Sequence, residues 1–71
     1  LLKPLEFDLL LFFARNQNIA LSREKILAEV WGMNFYGESR TIDIHVSQLR
    51  KKTGLPIISV PRVGYRLETT L

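Results

Sequence analysis

The stretch SRTIDIHVSQLRKKTG, Ser39–Gly54, carries the marks of both ends of a helix. Ser39 is a residue type that caps helix N-termini, and Gly54 is the type that most easily adopts the left-handed conformation after a last turn. Pro56 cannot continue a helix. The sequence therefore predicts one helix over residues 39–53.

The two faces of this predicted helix differ in chemistry. At about 100° per residue, one side collects Ile42, His45, Val46, Leu49 and Thr53, and the other collects Arg40, Asp43, Ile44, Ser47, Gln48, Arg50 and Lys51. Asp43 is the single acid of the stretch and lies near the N-terminus, where the helix dipole favours it. The other outward groups are those that meet phosphates, base edges and thymine methyls in a major groove. The pattern also fits an ordinary solvated face.

Charge is unevenly distributed along the 71 residues, which carry a net charge of +3. Residues 1–38 have four basic and five acidic side chains, whereas residues 39–71 have six basic and two acidic ones. The C-terminal half is therefore at +4 and the N-terminal half at −1, which indicates a polyanionic partner. A membrane surface is the rival polyanion, but the outward face of the predicted helix lacks the bulky apolar stripe of an interfacial helix.

The chain is short enough for one domain, residues 1–71. Its longest apolar run, Leu9 to Ala14, is far below the ~20 residues of a membrane helix, and the absence of cysteine suits a reducing compartment. These features predict a soluble, cytoplasmic protein whose domain makes no membrane contact. Because the sequence opens on Leu-Leu-Lys without a Met, it is interpreted as a fragment of a longer protein.

Two more helices are predicted upstream. Pro4 suits the first position of a helix that should fade near Asn16–Asn18, and Ser22 suits the N-cap of a second helix. Ile19 and Leu21 could form a short extended pairing or a hydrophobic staple. At the end of the second helix, Trp31 is either core or a phosphate contact.

The connection over residues 32–38 is longer than the turn of about three or four residues that a helix-turn-helix needs. It carries Met33, Asn34, Phe35 and Tyr36. Such extra length carrying apolar and aromatic side chains suggests a protein-contacting surface. The alternative is that the aromatics fold back over the small core.

The C-terminal residues predict a β-hairpin. Ile57–Val60 and Tyr65–Glu68 are strand-like runs, and between them Pro61 and Gly64 suit a turn, with Gly64 able to adopt positive φ. Arg62 at the tip is either solvated or placed for a minor groove. The predicted fold class is mainly α with a small β-hairpin: a winged helix-turn-helix of three helices and a C-terminal wing over about residues 57–68.

Several motifs together resemble the C-terminal DNA-binding domains of OmpR/PhoB-type bacterial response regulators. They are Pro4–Leu10, Leu21–Glu24, Val30–Gly32, Arg40–Val46, Leu49–Lys52 and Val63–Leu67. The resemblance implies a transcription regulator whose third helix enters the major groove while the wing approaches the minor groove. It also implies homodimeric, head-to-tail binding of double-stranded DNA at direct repeats and a contact of the loop after the second helix with RNA polymerase.

Carried onto matching positions, the resemblance implies roles for individual residues. Base contacts are expected from Thr41, Asp43, Ile44, Ser47 and Gln48; backbone contacts from Arg40 and Arg50, with Trp31, His45 and Tyr65 as further candidates; and a wing contact from Ser59. Lys51 joins the backbone set as an outward-facing cation. Two family parts, the N-terminal four-stranded sheet and the receiver domain with its phosphorylated aspartate, are missing from the chain. At the wing, Pro61-Arg62 replaces the Arg-Gly of many relatives, which shifts the basic group by one residue.

The leading hypothesis is sequence-specific duplex DNA binding within two-component phosphorelay signalling. Gln48 is the first candidate for base choice, because its amide can pair both ways with adenine. One alternative is a winged-helix module for protein–protein interaction, and another is the same domain in a one-component membrane-anchored regulator. Enzyme function is not expected: Asp43 and His45 are two positions apart on a helix and point to different sides, and no cofactor or metal motif is present.

Overall fold

A computed structural model describes residues 2–32 and 40–69 of the chain. Within these ranges the elements are helix α1 (Pro4–Arg15), strand β1 (Leu21–Ser22), helix α2 (Arg23–Ile26) with a π-helical continuation (Leu27–Trp31), helix α3 (Arg40–Thr53), strand β2 (Ile57–Val60) and strand β3 (Gly64–Leu67). The predicted arrangement of three helices followed by a wing is confirmed. The N-cap predicted at Ser39 and the loop residues Met33, Asn34, Phe35 and Tyr36 lie outside the described residues.

Helix ends lie where the sequence signals place them. Pro4 occupies the start of α1, and the N–H of Asn16 closes the helix on the carbonyl of Phe13 at 3.0 Å. Ser22 caps α2, because its Oγ accepts a hydrogen bond from the amide of Lys25 at 3.0 Å. Gly54 follows α3 with a φ of 71°.

One face of each helix supplies the hydrophobic core. The fully or nearly fully buried apolar residues are Leu9, Phe13, Leu21, Ile26, Ile42, Val46, Leu49, Ile57, Tyr65 and Leu67. On α3 the buried side chains are those of the predicted inner face, whereas His45 and Thr53 at its edge are only half-buried. Burial of this face fixes which side of α3 remains outside.

The wing is part of an antiparallel sheet with strand order β1-β3-β2. Leu21 pairs with Tyr65, so the segment before α2 forms an extended pairing rather than a staple. Gly64 makes this possible: a Cβ added there would lie 2.1 Å from the carbonyl oxygen of Leu21. Only a glycine lets the two backbones approach so closely.

The turn of the wing differs from the prediction. Gly64 is the first residue of β3 and does not have positive φ; that conformation belongs to Arg62, with φ of 66°. The N–H of Val63 donates to the carbonyl of Val60 at 3.0 Å, which closes the turn with Pro61 in its second position. Because β3 begins at Gly64, the left-handed residue falls two positions earlier than expected, and the strand ends at Leu67 rather than Glu68.

Candidate nucleic-acid interface

An exposed stripe runs along the side of α3 that faces away from the core. Its exposed members are Arg40, Ile44, Gln48 and Lys51, whose spacings of four, four and three place them on one side of a helix. Ile44 is 58% exposed, and Thr41 and Ser47 flank the stripe half-buried. We call these six residues the α3 stripe. It presents two cations, an amide, two hydroxyls and an aliphatic group on one rigid surface.

Asp43, predicted to contact a base, is half-buried and makes hydrogen bonds within the protein. Its Oδ1 accepts hydrogen bonds from Nε of Arg23 at 3.0 Å and from the hydroxyl of Tyr65 at 2.5 Å. The Arg23 guanidinium also lies 5.3 Å from the centre of the Tyr65 ring. We call Arg23, Asp43 and Tyr65 the polar cluster; it joins α2, α3 and β3.

The titration behaviour of the polar cluster follows from these contacts. The hydrogen bond from Tyr65, together with that from Arg23, holds the pKa of Asp43 below its usual value. Burial raises the pKa of Tyr65, and the neighbouring carboxylate raises it further. The hydrogen bond to Asp43 raises the pKa of Arg23. At neutral pH the cluster therefore holds a carboxylate, a guanidinium and a neutral phenol.

Two of the predicted backbone contacts make internal hydrogen bonds. Tyr65 is only 4% exposed and directs its hydroxyl to Asp43. Arg50 is half-buried, and its Nη1 donates to the carbonyl of Ile57 in β2 at 3.0 Å. Both side chains thus join α3 to the wing.

His45 and Trp31, the other two further candidates, lie against each other. Their ring centres are 5.3 Å apart with an interplanar angle of 81°, an edge-to-face arrangement. Nδ1 of His45 lies 2.8 Å from the carbonyl of Thr41. Because a carbonyl can only accept, Nδ1 carries the proton and the histidine is fixed on its own helix. The aromatic contact joins the second helix to α3.

The wing presents a small surface of mixed polarity. Ser59 on β2 is exposed, and so are Pro61, Arg62 and Val63 in the turn. The guanidinium of Arg62 is the cation of this tip. The predicted wing residues are therefore accessible.

Sequence reasoning missed the pairing of the Arg23 side chain with Asp43, and it missed the ion pair that attaches α3 to α1. Glu6 of α1 is fully buried, and its Oε1 accepts hydrogen bonds from Nζ of Lys52 at 2.8 Å and from the amide of Lys3 at 2.9 Å. The sequence held one signal for Arg23: a lone acid on the outward side of α3 suggests a cation from another element. It held none for Lys52, which reads as one member of a basic run.

Comparison with known proteins places these features in a family. A model described as "Transcriptional regulatory protein, C terminal" matches residues 1–67. The uncharacterised transcriptional regulatory protein YclJ of Bacillus subtilis is 42% identical over 71 residues, covering 94% of this chain and 31% of that protein. This chain therefore spans about a third of that relative's length.

Solved structures share the same fold. The DNA-binding domain of Bacillus subtilis CssR superposes with a TM-score of 0.89 and 40% identity, covering 94% of this chain and 77% of that one. The DNA-binding domain of Klebsiella pneumoniae RstA, solved in complex with the RstA box, superposes with a TM-score of 0.84 and 27% identity, covering 96% of this chain and 73% of that one. Separately, no helix within residues 2–32 and 40–69 is long and apolar enough to cross a membrane.

Proposed function

Because the chain belongs to the family of C-terminal DNA-binding domains of OmpR/PhoB-type transcriptional regulators, we propose that it binds duplex DNA sequence-specifically with α3 in the major groove. The α3 stripe is the observation that supports this proposal. An α-helix fits the width of the major groove, and the groups of the stripe match what that groove displays. The complex of Klebsiella pneumoniae RstA with its box shows that a relative of this fold binds DNA.

Within the stripe, the residues divide by chemistry. Gln48 is the proposed base reader, because its amide can donate to and accept from adenine, and Ile44 is proposed to lie against a thymine methyl. Arg40 and Lys51 are proposed phosphate contacts that set affinity and its salt dependence. The half-buried hydroxyls of Thr41 and Ser47 complete the surface.

The wing is proposed to approach the adjacent minor groove with Arg62 and Ser59. Minor grooves attract arginine side chains through their negative potential. The shift of the basic group from the family's position to Arg62 leaves it at the exposed tip of the turn.

Further proposals concern the whole protein. Family resemblance supports binding as a homodimer on direct repeats, a role in two-component phosphorelay signalling in the cytoplasm, and contact of the loop over residues 32–38 with RNA polymerase. The rival function is a protein–protein interaction module, in which the basic surface would face an acidic partner.

Titration of selected duplexes at several salt concentrations tests the proposal. The preferred duplex is first selected from a random-sequence library, and binding is followed by fluorescence anisotropy. Gln48→Ala should cost ~1–3 kcal/mol on the preferred duplex and relax one base position. Arg40→Ala should weaken all sequences alike and reduce the slope of log affinity against log salt by about 0.9.

Arg15→Ala is the charge-matched control, since Arg15 is exposed in the last turn of α1 and outside the stripe. It should leave the salt slope unchanged. Weak binding of the wild-type chain without sequence preference would favour the protein-interaction module. An equal loss for every sequence in Gln48→Ala would refute base reading by Gln48.

A further inference from the structure

The polar cluster connects the DNA-facing elements at one oxygen atom. Oδ1 of Asp43, in the first turn of α3, accepts from Arg23 at the start of α2 and from Tyr65 in β3. The same strand pairs with β1 directly before Arg23. The start of the second helix, the start of α3 and the central strand of the sheet are therefore held together at this point.

Arg50 makes a further connection between α3 and the wing. Its Nη1 donates to the carbonyl of Ile57 in β2. Seven residues separate Asp43 from Arg50, which corresponds to about 10 Å along a helix axis. Two attachments at this separation restrict how α3 can tilt against the sheet, and a slip of about 1 Å at one of them would tilt the helix by roughly 6°.

The hydrogen bonds of Asp43 favour a role in joining elements of the protein over a contact with a base. Its side chain is 42% exposed, yet Oδ1 already accepts two hydrogen bonds, one of them within an ion pair. A bare carboxylate beside DNA phosphates would be repelled, and Arg23 offsets that charge. The hydroxyl of Tyr65 is buried, so its contribution reaches DNA only through Asp43 and the backbone it fixes.

We propose that Arg23, Asp43 and Tyr65 are positioning residues that set the angle between α3 and the wing, so that both elements engage one duplex together. This inference rests on the proposed function and deepens it. In this proposal Asp43 and Tyr65 do not contact DNA; they orient the helix and the wing that do.

A double-mutant cycle separates positioning from contact. Tyr65→Phe removes only the hydroxyl, and Asp43→Ala removes its acceptor. On the selected duplex Tyr65→Phe should lower affinity roughly tenfold and Asp43→Ala at least as much, because it also removes the partner of Arg23. The double variant should lose little more than Asp43→Ala alone, because that variant already lacks the acceptor of the Tyr65 hydroxyl. In each variant the wing should protect the DNA minor groove less from hydroxyl-radical cleavage. The base preference at the positions contacted by the α3 stripe should be unchanged.

Glu68→Ala is the matched control, since Glu68 is also a carboxylate paired with an arginine, Arg66, at 2.7 Å. It should not lower affinity. A change of base preference in Asp43→Ala without any effect of Tyr65→Phe would overturn the proposal and make Asp43 a base reader. Additive losses in the double variant would overturn it too.

A measurement without DNA keeps this inference separate from the proposed function. Amide residual dipolar couplings of α3, β2 and β3 in the free chain report the angle between helix and sheet. Tyr65→Phe should change that angle or broaden its distribution. Unchanged couplings in the variant would refute positioning whether or not the chain binds DNA. A wild-type chain that binds no duplex, with altered couplings in Tyr65→Phe, would refute the proposed function and leave only the setting of the angle between α3 and the sheet.

Discussion

Arg62 occupies the tip of the wing in the left-handed region, with φ of 66°. A side chain there costs about 1–2 kcal/mol relative to ordinary backbone conformations, and glycine avoids that cost. Strain of this kind tends to be retained where function needs the side chain. The exposed guanidinium at the tip, beside the proposed minor-groove surface, gives such a reason.

Arg62→Gly should therefore separate stability from DNA binding. Relief of strain, about 1–2 kcal/mol, should outweigh the added freedom of glycine in the unfolded chain, about 0.4–1 kcal/mol. The free energy of unfolding in urea should rise by up to about 1.6 kcal/mol, the difference between these two ranges. Affinity for the selected duplex should fall, with a salt slope smaller by about 0.9.

Arg62→Lys is the control for this pair of effects. It keeps the charge and the strained conformation, so stability and salt slope should stay near the wild-type values. If Arg62→Gly bound the duplex as tightly as the wild type, the wing tip would have no part in binding.

At the scale of elements, α1 and α3 are joined by an ion pair between a buried carboxylate, Glu6, and an exposed lysine, Lys52. Glu6 is fully buried, and the hydrogen bond from Lys52, followed by that from the amide of Lys3, holds its pKa below the ordinary value of 4.5. The pair attaches the C-terminal turn of α3 to the N-terminal turn of α1. A carboxylate buried here without its cation would be costly.

The Glu6–Lys52 pair should make stability depend on pH. A carboxyl group with a lowered pKa in the folded state contributes stability that is complete above its unfolded pKa, near 4.5, and disappears as pH falls through the lower folded value. Lys52→Ala should lower the melting temperature at neutral pH and flatten the acid limb of the stability curve. Thermal melts followed by circular dichroism across this pH range measure both effects.

Lys51→Ala is the neighbouring control, because Lys51 is exposed on the α3 stripe and carries the same charge. Its acid limb should match that of the wild type. Equal acid limbs in Lys52→Ala and the wild type would show that the ion pair contributes nothing to folding.

For the whole molecule, a small core limits stability. At roughly 0.05–0.15 kcal/mol per residue, a chain of this length has about 4–11 kcal/mol of unfolding free energy. Phe13 of α1 is completely buried, whereas Phe7 of the same helix is 52% exposed. Substituting each of these two phenylalanines therefore compares a core position with a surface position on the same helix.

Phe13→Ala should cost about 3–5 kcal/mol, a large share of the free energy of unfolding. Phe7→Ala should change stability by less than about 0.5 kcal/mol. Urea unfolding of both variants checks the difference. Similar losses in the two would mean that the core does not centre on the buried face of α1.

Sequence by itself determined the ends of the first helix, the start of the second and the end of the third, the inner face of α3, the presence of a C-terminal hairpin and the family. Each of these depends on residues close together in the chain: a cap acts within three positions, and helical periodicity within four. Ser22, Gly54 and the buried Val46 are where these local rules place them. The exposure of the α3 stripe could be predicted as well, because the face of α3 opposite the buried one is left in solvent.

Only the tertiary structure decided which outward side chains of α3 are paired within the protein and which are left exposed. Asp43 accepts hydrogen bonds from Arg23 and Tyr65, which are separated from it by 20 and 22 positions in the sequence. Lys52 pairs with Glu6, at a separation of 46 positions. Such partners are brought together by packing of the core, and no local pattern encodes their distance. Gly64 was misjudged for the same reason, because its need for glycine comes from the backbone of Leu21 in another strand.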